Sequence, residues 1–207
     1  MSAFTRASDR AVEAVRAWRW LLADDAARTA LAARLSQAEP ALQLFDDAEA
    51  PALLATAWDE GPAAPAELPG SPPPAWVADA QRIASWRADR PEAAACLVVV
   101  RQPMKTPDAA AQRDWAATVL RALDGDEAPP EGLLSANFFA SRDGAAVYNF
   151  AEWTSVEAHR NALRRGSYGQ YGSIGASDLW RAAREHPAIT PDHEVRRYAL
   201  RRALARA

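Results

Sequence analysis

The sequence predicts an α+β chain made of two tandem copies of one unit, a strand, a helix and a hairpin, with the functional site in the second copy. Three observations carry this. Residues 133 to 165 read as a hairpin followed by a helix. Shifting the chain by 95 residues lays residues 41 to 60 on 136 to 155 without a gap, pairing Ala41 with Ala136, Ala50 with Ala145 and Trp58 with Trp153. A strand and then a helix precede both stretches, and an ordered unit that recurs at a fixed offset is the mark of an internal duplication.

In chain order, residues 12 to 20 read either as a strand that puts Trp18 and Trp20 on one face, because side chains alternate across a sheet, or as a helix, which their periodicity fits nearly as well. Asp24 or Asp25 caps a helix running to about Gln37, and Pro40 marks its end. Residues 41 to 47 and 52 to 60 are the first hairpin. Residues 61 to 75 hold six of the fifteen prolines and form a linker or rigid insertion. Trp76, Ala80, Ile83 and Trp86 then fall at helical spacing, so a short helix is expected before Pro91. The expected division is 1–60 as a degenerate N-terminal half, 61–92 as linker plus helix, and 93–207 as the C-terminal half carrying the site.

The second copy opens with a valine-rich strand over residues 94 to 101. Thr106-Pro107-Asp108 supplies a cap, a proline and an acid for a helix whose buried stripe is Trp115, Val119 and Leu123 and which Asp124-Gly125 stops. Met104 is a core residue. Residues 133 to 141 and 145 to 153 are paired strands joined by a two-residue Asp143-Gly144 loop, and Thr154 with Glu157 forms a capping box for the next helix. Asn149, Ala151 and Trp153 share one face of the returning strand; Tyr148, Phe150 and Glu152 share the other. His159, about one and a half turns past the cap, is placed to lean over the end of that strand.

Gly166, Gly169, Gly172 and Gly175 recur at every third position with Tyr168 and Tyr171 between them. This is either a plain connection or a lid whose tyrosines stack on a flat aromatic ligand. Ser177 caps a short helix containing Trp180, Arg181 and Arg184, whose guanidiniums are candidates to reach a ligand phenolate or carboxylate. A last strand starts near His193.

Composition removes several function classes. A net charge of −3 and a sequence pI of 5.7 give no electrostatic reason for a nucleic-acid or anionic-membrane partner. Arg164-Arg165 and Arg196-Arg197 read as solvated basic faces. The lone Cys96 sits in an apolar run and reads as a buried structural thiol, which leaves neither a disulfide framework nor a cysteine metal site. His159, His186 and His193 lie on three separate segments, so no metal is expected. There is no dinucleotide fingerprint, phosphate loop, zinc-protease helix motif or nucleophile elbow. No apolar stretch is long enough to cross a bilayer and the N-terminus lacks a signal-peptide core, so a cytoplasmic location is expected.

The pattern S-x-N-x-x-x-S-x-D-G followed by V-x-N-[YF]-A-x-W-x-S, here Ser135, Asn137, Ser141, Asp143, Gly144, Val147, Asn149, Phe150, Ala151, Trp153 and Ser155, resembles the antibiotic biosynthesis monooxygenase family. The resemblance is specific over about 25 residues and looser from 93 to 202. It implies a ferredoxin-like dimeric α/β barrel, here an intrachain pseudo-dimer of two βαββ(α)β-type copies, with a further homodimer left open. It also implies a monooxygenase that oxidises a polycyclic phenol or anthrone to a quinone with dioxygen, without metal or bound flavin. Asn149 and Trp153 then line the site, and His159 stands where the family usually has a tyrosine, acting as donor or as base. Asn137, Phe139, Tyr168, Tyr171 and Trp180 are the expected contacts to a flat aromatic substrate. With Leu54 aligned to Asn149 and Ala64 to His159, the first half is expected to be scaffold. Three rival readings stay open: a ring-modifying oxygenase fed external reduced flavin, haem degradation, against which Leu163 stands where an axial histidine is needed, and a non-catalytic binding or complex-stabilising protein.

Overall fold

The computed structural model describes residues 11–39, 41–59, 71–125, 129–164 and 177–202. Short, largely apolar runs form the strands, and the order is β1 (Ala14–Leu21), α1 (Asp25–Ala38), β2 (Gln43–Asp47), β3 (Ala52–Trp58), β4 (Trp76–Arg87), β5 (Cys96–Pro103), α2 (Ala109–Gly125), β6 (Leu133–Ser141), β7 (Ala146–Trp153), α3 (Val156–Arg164), α4 (Asp178–Arg184) and β8 (Glu194–Arg202).

All eight strands close into one antiparallel barrel in the order β1-β3-β2-β8-β5-β7-β6-β4. Within it, β4-β1-β3-β2 and β8-β5-β7-β6 are the same ferredoxin-like arrangement repeated. The last strand of each half pairs with the second strand of the other, β8 with β2 and β4 with β6. The two copies thereby cover each other's open edges, which closure alone removes completely.

Each sheet has two apolar faces, so the chain builds three apolar layers. Val15, Ala17, Phe45, Leu54, Trp58, Phe139, Phe150 and Tyr198 fill the barrel interior. Trp18, Trp20, Leu53 and Ala55 meet Leu31 and Leu35 of α1 on the outer face of the first half. On the outer face of the second half, Val98, Ala136, Phe138, Ala151 and Trp153 meet α2 and α4 through Trp115, Val119, Leu123, Trp180 and Ala183. A cavity lies in this third layer, outside the barrel. β1 and β5 are topological equivalents; Trp18 and Trp20 of β1 pack in the layer under α1, whereas Val98 and Val100 of β5 line the cavity.

Several local expectations are corrected. Residues 76 to 87 are a strand and not a helix, and they complete the first half, which therefore extends to Arg87. A register shift between Arg82 and Ala84 inserts a residue into the period-two pattern, and this makes the tryptophan spacing look helical. The loop joining β6 and β7 has four residues, not two: Gly144 N–H donates to Ser141 O, only Gly144 takes a positive φ (77°), and the Asp143 carboxylate accepts from the Ser141 hydroxyl and Ala145 N–H. The cap of α3 is Ser155, whose Oγ accepts from Ala158 N–H, while the Glu157 carboxylate faces Arg160 and Arg164. Asp108, not Thr106, caps α2 through Ala110 N–H at 2.7 Å.

The tandem architecture holds, but the gapless pairing of residues does not. Trp58 points into the barrel interior, where its Nε1–H donates to Gln43 at 2.8 Å, whereas Trp153 points outward beneath the helices. A slip of one residue exchanges the two faces of a strand, so Leu54 is not the spatial counterpart of Asn149. Ala64 lies outside the described residues.

Candidate functional site

A cavity of about 430 Å³ lies between the outer face of the second sheet and helices α2, α3 and α4. Its floor is made of small side chains, Val98 and Val100 on β5, Ala136 on β6 and Ala151 on β7; Trp115, Phe138 and Trp180 make the walls. Trp115 and Gln102 have their polar atoms engaged, Trp115 Nε1–H with Ala183 O and Gln102 Nε2 with Pro103 O and Thr190 O. Those groups shape the cavity without offering it a donor.

Asn149, Trp153 and His159 all line this cavity. Trp153 is 2% exposed, and its Nε1–H is a buried donor without a hydrogen-bond partner among the described residues. Such a group costs about 1–3 kcal/mol, a penalty that a ligand oxygen accepting from it removes. Asn149 Oδ1 accepts from the Asn137 backbone N–H at 3.1 Å. Because that N–H can only donate, the amide orientation is determined and Nδ2 becomes the atom available as a donor.

His159 packs edge-on against Trp153, with centroids 4.7 Å apart. Its Nδ1 accepts from Arg197 Nε at 2.8 Å. Burial lowers the imidazole pKa to about 3, and the neighbouring Arg197 charge adds to the effect while Glu49 opposes it. Near neutrality the ring is uncharged, and with Nδ1 accepting, the proton sits on Nε2.

Of the other expected contacts, Trp180 lines the cavity, and so does Arg184, whereas Arg181 is paired with Asp178 at the surface. Asn137 and Phe139 do not line it. They lie on the opposite face of β6, where Phe139 packs in the barrel interior and the Asn137 amide donates to Ser135 Oγ and Phe150 O. On β6 it is Ala136 and Phe138 that face the site. Tyr168, Tyr171 and the four glycines around them lie outside the described residues.

Arg197 and Glu49 were not legible as site residues. Arg197 is not a solvated cation: its side chain is 12% exposed and its Nη1 donates to both Glu49 carboxylate oxygens, at 3.0 and 2.8 Å. Alternation from cavity-lining Val195 would have placed Arg197 on the correct face, but nothing in the sequence links it to Glu49. Cys96 is buried, as expected, and burial raises its thiol pKa to about 11. Among the described residues no group of three His, Cys, Asp or Glu side chains is placed to hold a metal ion, and no helix is long and apolar enough to cross a membrane.

No protein-family profile matches this chain, and no curated protein matches it in sequence. Solved structures do. An anthrone oxidase-like protein superposes with a TM-score of 0.69 at 11% identity, covering 94% of this chain and 92% of that one. A structure described as a major regulator of staphylococcal pathogenesis superposes at 0.53 with 9% identity, covering 90% and 98%. A Streptomyces coelicolor monooxygenase, ActVA-Orf6, crystallised with nanaomycin D, is 25% identical with a TM-score of 0.42, covering 55% of this chain and 94% of that one. The fold is thus the two-copy α+β barrel of the first two, with the ferredoxin-like halves that the antibiotic biosynthesis monooxygenase pattern implies.

Proposed function

We propose that this protein is a monooxygenase that binds a flat polycyclic phenol or anthrone in the outer cavity of its second half and oxidises it to a quinone with dioxygen. The observation that carries this reading is the donor set of a largely apolar cavity: Trp153 Nε1–H, which has no acceptor among the described residues, with Asn149 Nδ2–H and His159 Nε2–H also on its lining. A volume of about 430 Å³ falls within the roughly 300–1,000 Å³ of small-molecule sites. Preorganised donors in a largely apolar cavity stabilise a ligand oxygen on which negative charge develops. The fold shared with an anthrone oxidase-like protein supports the same substrate class.

In this reading the anthrone loses a carbon-bound proton to solvent, and the negative charge on its oxygens is held by these donors. The electron-rich enolate passes one electron to dioxygen; the resulting radical and superoxide combine, with a proton, to a hydroperoxide. Loss of water leaves the new carbonyl, so one oxygen atom enters the product and the other departs as water. The substrate supplies the electrons, and the reading needs neither a metal nor a bound flavin. His159 serves here as a neutral donor. With Nδ1 occupied by Arg197 and the ring pKa near 3, it is a poor base at neutral pH.

The test is incubation of the purified, metal-free protein with emodin anthrone or dithranol under air, following quinone absorbance and oxygen uptake. Quinone formation above the buffer rate that the Asn149→Ala/Trp153→Phe double variant loses supports the reading. A rate equal to buffer sinks it. Turnover that appears only with reduced flavin from a flavin reductase would then identify the flavin-assisted oxygenase, and binding without turnover the non-catalytic protein.

A further inference from the structure

We infer that Glu49 and Arg197 are positioning residues that hold His159 as a neutral Nε2–H donor, so that the first half, which does not line the cavity, orients a donor of the second half's site. This rests on the proposed function for its catalytic meaning. The geometry is a continuous chain of contacts. His159 lies edge-on to Trp153; its Nδ1 accepts from Arg197 Nε at 2.8 Å; Arg197 Nη1 donates to both oxygens of Glu49. Arg160, one residue past His159 on α3, donates to Glu49 Oε1 at 3.0 Å.

An arginine has no acceptor and does not lose its proton, so whatever faces its Nε–H must present a lone pair. That excludes the imidazolium and the Nδ1–H tautomer together. A histidine carried by α3 alone would be free to choose between tautomers; Arg197 removes the choice. Arg197 is in turn held from across the boundary between the two copies. Glu49 sits in the loop between β2 and β3, and that loop is tied to β8 by the Ala48 N–H donated to Arg197 O at 2.8 Å. The charged groups facing the His159 ring are Arg197 from β8 and, behind it, Glu49, with Arg160 on its own helix. The cation adjoining the ring opposes a second proton, and burial acts in the same direction.

The test uses the full chain labelled with ¹⁵N at histidine, with Arg197→Met, Arg197→Lys and Glu49→Gln as variants. In the unsubstituted protein, His159 should show an unprotonated Nδ1, a protonated Nε2 and no titration between pH 5 and 8. Arg197→Met should move both shifts toward tautomer averaging and raise the ring's pKa, which burial still holds below its ordinary value. It should also lower kcat for anthrone oxidation about 10- to 100-fold, the size seen when a group that orients a functional histidine is lost, with KM changing less. Arg197→Lys should recover part of the loss, and Glu49→Gln should shift the spectra in the direction of Arg197→Met by a smaller amount.

A protonated Nδ1 in the unsubstituted protein, or spectra and pH profile unchanged in the variants, overturns the inference. If Arg197→Met does not fold, the unsubstituted spectrum and Glu49→Gln decide. The two readings fail separately. Expected spectra without quinone formation sink the proposed reaction and leave the positioning of His159 standing. Quinone formation that all three variants retain does the reverse.

Discussion

The His159 imidazole stands edge-on to the Trp153 indole at 72°, with ring centroids 4.7 Å apart, and this brings a helix donor and a strand donor to the same end of one cavity. A strand side chain and a residue one helical turn past the strand-to-helix corner meet because Ser155 starts α3 directly after β7. The predictions follow from what each of these groups touches.

Trp153→Phe should separate activity from stability. The indole Nε1–H has no partner among the described residues, so its removal deletes an unpaired buried donor and keeps most of the ring packing. Thermal or denaturant unfolding should change by no more than about 1 kcal/mol. Anthrone oxidation should fall about 10²- to 10³-fold, as for the loss of one preorganised donor.

Asn149 has two jobs that different substitutions divide. Asn149→Ala leaves the Asn137 backbone N–H without its acceptor and should cost about 1–3 kcal/mol. Asn149→Asp keeps an acceptor for that N–H but turns a carboxylate oxygen toward the ligand oxygen. It should be the more stable variant of the two and the one that weakens binding of a phenolate more, as read by ligand titration.

A donor at position 159 should be replaceable by another donor. His159→Tyr, which restores a hydroxyl, should keep more activity than His159→Phe, for which a loss of about 10²-fold is expected. If His159 acted as the base, kcat would fall with an apparent pKa near 6 to 7 and His159→Tyr would be as impaired as His159→Phe.

Stability should fall with acid. The pKa of His159 drops from 6.5 in the unfolded chain to about 3 in the fold, so between those values the unfolded state binds the extra proton. Stability contributed by this group is complete above about pH 6.5 and declines below it, with a slope of up to about 1.4 kcal/mol per pH unit. Pairing with Arg160 and Arg197 lowers the Glu49 carboxyl below 4.5, and that contribution is lost as pH falls through the depressed value. His159→Phe should flatten the decline between pH 6.5 and 4.5 in urea unfolding, and Glu49→Gln should not.

Substitutions on the two faces of β6 should differ in kind. Phe138 lines the cavity, so Phe138→Leu should change KM; Phe139 packs in the barrel interior against Trp58 and Phe150, so Phe139→Leu should lower stability with KM unchanged. Equal effects on KM would place the substrate in the barrel interior instead.

Periodicity in the sequence determined much of this protein. The period-two pattern of residues 146 to 153 put Asn149, Ala151 and Trp153 on one face, and the strand-to-helix corner placed His159 beside them, because both are consequences of local backbone geometry. The repeat of strand, helix and hairpin announced two copies for the same reason. Tertiary structure alone decided which apolar face borders the cavity. A barrel strand buries both its faces, so the pattern cannot say that Phe139 and Trp58 look inward while Phe138 and Trp153 look out toward the helices. It alone decided that β4 is a strand, since a register shift hid the alternation. It alone brought Glu49 to Arg197, 148 residues apart, because that contact exists only once the closing strand of one half has paired with the hairpin of the other.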